Sequence, residues 1–524
     1  MRRKILMAIC AAAVLLCLAQ PARISAQAQE PQKTAPGANA AEPCDAAATK
    51  EESSVTDHTI RLGAQTIPYK ATASTTLLKN PKGEPTALMY SVAYTRSDVK
   101  DPSERPISFL YNGGPGSATM WLHMGAFGPR RVSTVDGQFT PPAPYKLVDN
   151  AESLLDKTDL VFIDAIATGY SHAVCKAQNK DFFGVDEDIA AFGQFIDTYL
   201  SRNGRWNSPK LLIGESYGTF RSAALGDYLQ SHYSIQLNGI VLISSVLDLS
   251  TLTFAPGDDR PYIFYLPSYA AVAWYHKVVK DRPSDLPAFI EEARQYAQGD
   301  YAAALYKGAM LAPPERAAVA KRLSYFTGLS EDYLLKANLR VTLSQFRAEL
   351  QRASGLTTGR IDARFTGYTF DLLEERAAND PEGPAVAGAF TALINEYNHN
   401  ELKFGQDRVY HNSIDDSEES EWNWRRHGRG DGGFPGAPNV DADLADVMVQ
   451  NPRLLVQVEN GYFDLATPFF ATEFTMRHLG LPESLQKNIT LDYYTAGHMM
   501  YLHDADRANL HNKIAGFIDR AAHP

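Results

Sequence analysis

Three short stretches of this chain carry side chains that together could cleave an acyl bond. The first is Leu211-Leu212-Ile213-Gly214-Glu215-Ser216-Tyr217-Gly218. An apolar run breaks on a glycine, presents a serine and turns on a second glycine. That spacing sets a nucleophilic oxygen on a tight strand-to-helix elbow, with small residues where the backbone crowds. A serine hydroxyl is a weak nucleophile until a base takes its proton. The base expected is His498, which follows Thr495-Ala496-Gly497 and the strand-like run from Ile489 to Tyr494. The orienting acid expected is Asp464, in the turn after the apolar run Leu454 to Val458. Asp248, Asp441, Asp443, Asp446 and Asp492 compete for the acid and His503 for the base, but each reads better as a solvated group.

The negative charge that grows on an attacked carbonyl needs backbone donors. The amide of Tyr217, directly after the serine, is one. The other is expected from an early strand-to-helix loop, Phe109-Leu110-Tyr111-Asn112-Gly113-Gly114-Pro115-Gly116-Ser117. Its glycines let backbone approach a substrate closely. A phosphate cradle is the rival reading, but the trailing Gly-Lys-Ser/Thr is missing.

Elements must hold these residues at one edge. Buried-type runs recur at Ile107-Tyr111, Leu160-Ile163, Leu211-Ile213, Ile240-Ile243 and Leu454-Val458. Between two of them Ile189, Phe192, Ile196 and Leu200 share a helical face. Strands alternating with helices predict an α/β fold with a mostly parallel central sheet flanked by helices. The serine, acid, histidine order fits the α/β-hydrolase version of that fold. Helix formers dominate Leu286 to Arg352, so residues 250–446 read as a mainly helical cap or lid insertion. The core is then 57–249 plus 447–524. Trp422 and Trp424, near the end of the insertion, line a cleft or a surface loop.

The chain has 524 residues and a net charge of −11, and no basic stripe suggests nucleic acid. Arg2, Arg3 and Lys4 precede an apolar stretch from Ile5 to Leu18, and Ala26-Gln27-Ala28 fits a cleavage site. Residues 1–28 therefore read as a signal peptide, and 29–56 as a disordered leader. No later run is long enough to span a bilayer. The protein is expected to be exported, periplasmic or secreted, without stable membrane insertion. An uncleaved anchor is the alternative. Of four cysteines, Cys44 and Cys175 survive cleavage, and the sequence leaves open whether they pair.

Four blocks in order carry a family resemblance: Asn112-Gly113-Gly114-Pro115-Gly116, Gly214-Glu215-Ser216-Tyr217-Gly218, Asn460-Gly461-Tyr462-Phe463-Asp464 and Ala496-Gly497-His498-Met499. Together they resemble the signatures of the serine carboxypeptidase family, over about 100–250 and 450–505. The resemblance implies an exopeptidase that removes C-terminal residues through an acyl-enzyme and needs no metal or cofactor. It implies Ser216 as nucleophile, His498 as base and Asp464 as orienter. The amides of Gly114 and Tyr217 would form the oxyanion hole. Asn112 and Glu215 would hold the free carboxylate of the peptide substrate. Two departures stand out. Ser117 replaces a usual cysteine, and Ala126 stands where the family usually has a glutamate that completes an acidic pair. An esterase or acyltransferase on the same scaffold is the first alternative. A catalytically silent binding protein is the second. Side-chain preference and oligomeric state are not readable.

Overall fold

The computed structural model describes residues 44–414, 422–427 and 437–523. The expected signal peptide, and the leader as far as residue 43, lie outside the described residues. The leader does not extend to residue 56. Cys44 is disulfide-bonded to Cys175, with Cα atoms 5.2 Å apart. Ser53–Leu62 is already a strand, β1. Its ten residues pair antiparallel with β2, Gln65–Lys79. Backbone pairing orders a stretch that its Ala- and Pro-rich approach had disguised.

Chain order then gives β3 (Pro85–Arg96), β4 (Ile107–Tyr111), β5 (Arg130–Val132), β6 (Leu147–Asp149), β7 (Asp159–Ile163) and β8 (His172–Ala173). After them come β9 (Lys210–Glu215), β10 (Gly239–Ile243), β11 (Leu356–Thr358), β12 (Thr366–Tyr368), β13 (Leu455–Gly461) and β14 (Ile489–Tyr494). The main sheet runs β1-β2-β3-β7-β4-β9-β10-β13-β14, with β8 beside β3. From β7 to β14 every neighbour is parallel, whereas β1 to β3 form an antiparallel wing. The central strands β4, β7 and β10 are short, wholly or largely apolar and fully buried, as burial on both faces requires.

Helices cover the two faces. On one side α1 (Val185–Arg202) and α2 (Tyr217–Tyr233) pack with Leu444 and Val447 against Phe109, Leu212 and Val456. On the other, Leu510, Ile514 and Phe517 of the helix Asp504–Ala522 pack on Leu211 and Val241. The helix Asp441–Gln450 spans the expected core boundary at 447 and lies against α2.

Between β10 and that helix the described chain is mostly helical, beginning with α3 (Arg260–Tyr275). It carries an apolar cluster of its own, which holds Phe326 and Phe346 and also takes in Phe463 and Phe469. Those last two belong to the turn and helix after β13. The helical segment is therefore packed onto the carboxyl edge of the sheet, where crevices for ligands form. Among the described residues, no helix is long and apolar enough to cross a membrane.

Candidate active site

The register of the sheet brings the predicted residues to one edge. Tyr111 at the end of β4 pairs with Gly214 of β9, Glu215 with Ile243, Ile243 with Glu459, and Gly461 with Tyr494. Asn112, Ser216, Asp464 and His498 follow just beyond these strand ends.

Ser216 has φ 59° and ψ −128°, a conformation that L-residues rarely adopt. Two facts hold it there. Its amide donates to the Ile243 carbonyl at 3.0 Å. The glycines on either side cannot be larger: a Cβ on Gly214 would strike the Gly218 carbonyl, and one on Gly218 would lie 2.8 Å from the Tyr111 carbonyl oxygen. The elbow is a packed object, and the glycine spacing is its steric condition.

Asp464 and His498 meet. His498 Nδ1 lies 2.7 Å from Asp464 Oδ2, with both side chains buried. Asp464 is itself oriented, because Oδ1 accepts the amides of Ala466 and Thr467 and Oδ2 accepts the Thr467 hydroxyl at 2.7 Å. Burial opposes charging of His498, but the Asp464 carboxylate outweighs it and raises the imidazole pKa above its ordinary value. Asp464 therefore orients the ring through one of its two nitrogens, Nδ1.

Ser244, at the end of β10, joins the histidine turn and β13 to the strand end beside the elbow. Ser244 directly follows the Ile243 carbonyl that receives Ser216, and its Oγ donates to the His498 carbonyl at 2.7 Å. Its amide donates to Glu459 of β13 at 2.9 Å. The inserted segment adds a strap. Ile361 accepts the His498 amide at 2.8 Å, Arg360 accepts the Leu465 amide at 3.0 Å, and Ala363 donates to Phe463 at 3.0 Å. Residues 360–363 thus bridge the turns that carry His498 and Asp464.

The glycine loop lies against the elbow. A Cβ on Gly113 would collide with the amide nitrogen of Tyr217. The next residue, Gly114, has φ +105°. Tyr217 opens α2, where first-turn amides have no intrahelical acceptor. The backbone of the loop at Gly113 and the Tyr217 amide of the elbow therefore sit side by side.

Asn112 Nδ2 donates to Glu215 Oε1 at 2.8 Å, and Asn112 Oδ1 accepts the Leu122 amide at 3.0 Å. Both side chains are buried. Burial raises the Glu215 pKa to about 7, even with His498 nearby favouring the charged form. Its second oxygen, Oε2, has no well-formed hydrogen bond. Ala126 is buried and brings no carboxyl to this space.

Several supporting residues escaped the sequence reading. Arg221, fully buried on α2, grips Asp188 through two nitrogens and donates to the Asn112 carbonyl at 2.8 Å. Its guanidinium also stacks 4.2 Å from the Phe192 ring centre. A lone charge on the apolar face of a helix was the available signal. Thr467 could have been found from Asp-x-x-Thr after a strand, since that spacing lets an aspartate cap the turn. Trp422 and Trp424 both approach Tyr217, with ring centres 5.6 and 6.0 Å away. The competing groups are engaged elsewhere: Asp492 with Lys513, Asp443 with Arg426, and His503 with Asp506.

Comparison with known proteins points the same way. The family model described as serine carboxypeptidase matches residues 69–285. The chain is 27% identical over 173 residues to serine carboxypeptidase-like 45 of Arabidopsis thaliana, covering 32% of this chain and 34% of that protein. It is 33% identical over 135 residues to the pheromone-processing carboxypeptidase KEX1 of Saccharomyces cerevisiae, covering 24% of this chain and 17% of that one. The matched part is thus about a third or less of either relative. Among solved structures, the yeast prohormone-processing carboxypeptidase KEX1 shares the fold, with TM-score 0.53 and 15% identity over 86% of this chain and 91% of that one.

Proposed function

We propose, for a chain whose residues 69–285 belong to the serine carboxypeptidase family, that it removes C-terminal residues from peptides through an acyl-enzyme on Ser216. The observation that carries this reading is the buried Asn112–Glu215 pair immediately before the elbow serine. A neutral glutamic acid and a primary amide are both donors. Donors at that position suit a substrate that ends in a carboxylate one residue beyond the scissile bond.

His498 takes the Ser216 proton as the oxygen attacks the carbonyl, and Asp464 stabilises the imidazolium formed. The amides of Gly114 and Tyr217 hold the oxyanion, each worth about 3 kcal/mol in such sites. The proton passes to the leaving amine, and the terminal amino acid departs. Water, deprotonated by His498, then frees the shortened peptide. We also read the chain as exported, from the basic and apolar N-terminal stretch and the Cys44–Cys175 disulfide.

Ala126 favours one second reading, an esterase or acyltransferase. An N-blocked dipeptide and its C-terminal amide, compared from about pH 4 to 8, separate the two. The carboxypeptidase prefers the free acid. Equal turnover of both, or turnover of simple esters alone, overturns the assignment.

A further inference from the structure

Three buried oxygens form no well-aligned hydrogen bond: Glu215 Oε2 and Tyr501 Oη, whose side chains face each other, and Glu382 Oε1. Buried polar groups in folded proteins are nearly always satisfied, so a cluster of such atoms marks a place where something polar binds. Two of the three flank the reacting centre in sequence, since Glu215 precedes Ser216 and Tyr501 follows His498. Glu382 comes from the inserted segment.

Glu382 is the first residue of the helix Glu382–Asn400. Val386 and Phe390 lie four and eight residues on, on the same buried face. Phe390 packs 4.8 Å from the Trp121 ring centre and beside Gly125, where a Cβ would also press on the Tyr501 ring. The helix therefore touches, through Phe390, the turn that holds Trp121 and Gly125, next to Ala126. Its apolar stripe points inward, and a carboxyl heads the stripe where another apolar side chain would be expected. Glu382 is only 2% exposed.

We propose that Glu382 is a specificity-determining residue that, with Glu215 and Tyr501, receives the free α-carboxylate of the peptide substrate. It does so in the space that Ala126 leaves without a carboxyl. The inference rests on the carboxypeptidase reading and names a residue on which that reading does not depend. A carboxyl can donate to a carboxylate only while it keeps its proton. Burial, and then the carboxyls of Asp362, Asp380, Glu215 and Asp464, hold that proton on Glu382. Asp362 is neutralised by Arg364 at 2.6 Å, and Asp380 accepts the amides of Arg360 and Ile361. Tyr501 also feels both glutamates. A protonated Glu382 donates through its hydroxyl, and Tyr501 through its phenol.

The test compares wild type with Glu382→Gln and Glu382→Ala on an N-blocked dipeptide and on its C-terminal methyl ester. For Glu382→Ala, KM for the free acid should rise about 10- to 100-fold, the loss typical of a hydrogen bond to a charged group. Its kcat and its ester hydrolysis should stay within about 2-fold. Glu382→Gln, which keeps the volume and a donor, should bind the free acid nearly as well as wild type and hold it to higher pH. Equal losses on both substrates, or no change on either, would overturn the proposal in favour of a structural role. Selective loss for peptides ending in Lys or Arg would overturn it in favour of side-chain recognition. A wild type indifferent to the free carboxylate overturns the carboxypeptidase reading itself, a result visible before any variant is made.

Discussion

Arg221 donates from Nη1 to the backbone carbonyl of Asn112 at 2.8 Å. A fully buried guanidinium on the elbow helix thereby fixes the loop that faces the serine. Its charge is balanced by Asp188, which sits at the start of α1. Arg221→Met removes the tie and strands a buried carboxylate. Breaking one partner of such a pair costs about 3–5 kcal/mol. Denaturant unfolding should show that loss, and Asp188→Asn in the same chain should restore part of it.

In the proposed mechanism, the bond between His498 Nδ1 and Asp464 sets the ring for proton transfer. Asp464→Asn should leave the fold intact and lower kcat about 10⁴-fold, because the amide favours the wrong tautomer. Thr467→Val removes one donor to Asp464 and should cost about 10-fold, as one net hydrogen bond does. Active-site titration with a serine-reactive phosphonate checks both, and Ser216→Ala should abolish labelling.

Two opposing titrations shape the pH profile. In the proposed mechanism His498 must be neutral to act as base, and its pKa is raised, so activity should fall as pH drops through a value above the ordinary 6.5. Glu215 must be protonated to donate, and burial lifts it to about 7, so KM for a free-acid substrate climbs as pH rises through that value. The product is a narrow bell in kcat/KM for free acids. Glu215→Gln should flatten the alkaline limb. It also removes a charge that favours the imidazolium, so the acid limb should move to lower pH. The folded protein holds the Glu215 proton more tightly than an unfolded chain. Its contribution to stability is therefore fully present below pH 4.5 and declines up to about 7. Kinetics and thermal melts across this range test each sign.

Cys44 and Cys175 close a loop with a sequence separation of 131. Chain-entropy reasoning assigns such a link about 5 kcal/mol against the unfolded state. Reduction, or Cys44→Ser with Cys175→Ser, should lower Tm by several degrees while leaving kcat almost unchanged. Neither cysteine is in hydrogen-bond contact with the proposed triad.

Much of this was legible in the sequence because it follows from local rules. Gly214, Ser216 and Gly218 announce an elbow through steric spacing alone. Asp464 and His498 stand after apolar runs that must be strands. What stayed hidden depends on contacts between distant segments. The pairing of β1 with β2 is set by register, which the polar leader composition masks. Cys44 and Cys175 needed a distance. Arg221 reads as an ordinary helix cation until Asp188 and the Asn112 carbonyl are seen around it. The strap at 360–363 has no motif, since it acts through backbone groups that every residue type possesses.

That strap predicts a sharp intolerance at Gly497. A Cβ there would overlap Asp362, whose backbone lies between the two turns. Gly497→Ala should push the strap outward and tilt His498. The overpacking should cost about 1–3 kcal/mol, and turnover should fall out of proportion to the loss of stability. Urea midpoints and kcat, measured on one preparation, separate the two effects.

Domain-swap engineering meets a constraint here. The stretch between β10 and the helix Asp441–Gln450 looks like an interchangeable module that could be traded among relatives to change specificity. Yet Arg360, Ile361 and Ala363 supply hydrogen-bonding groups to the loops that carry Asp464 and His498. A chimera that imports a foreign module discards three struts of the proposed triad. A transplant that works must keep these residues native and exchange the helices around them.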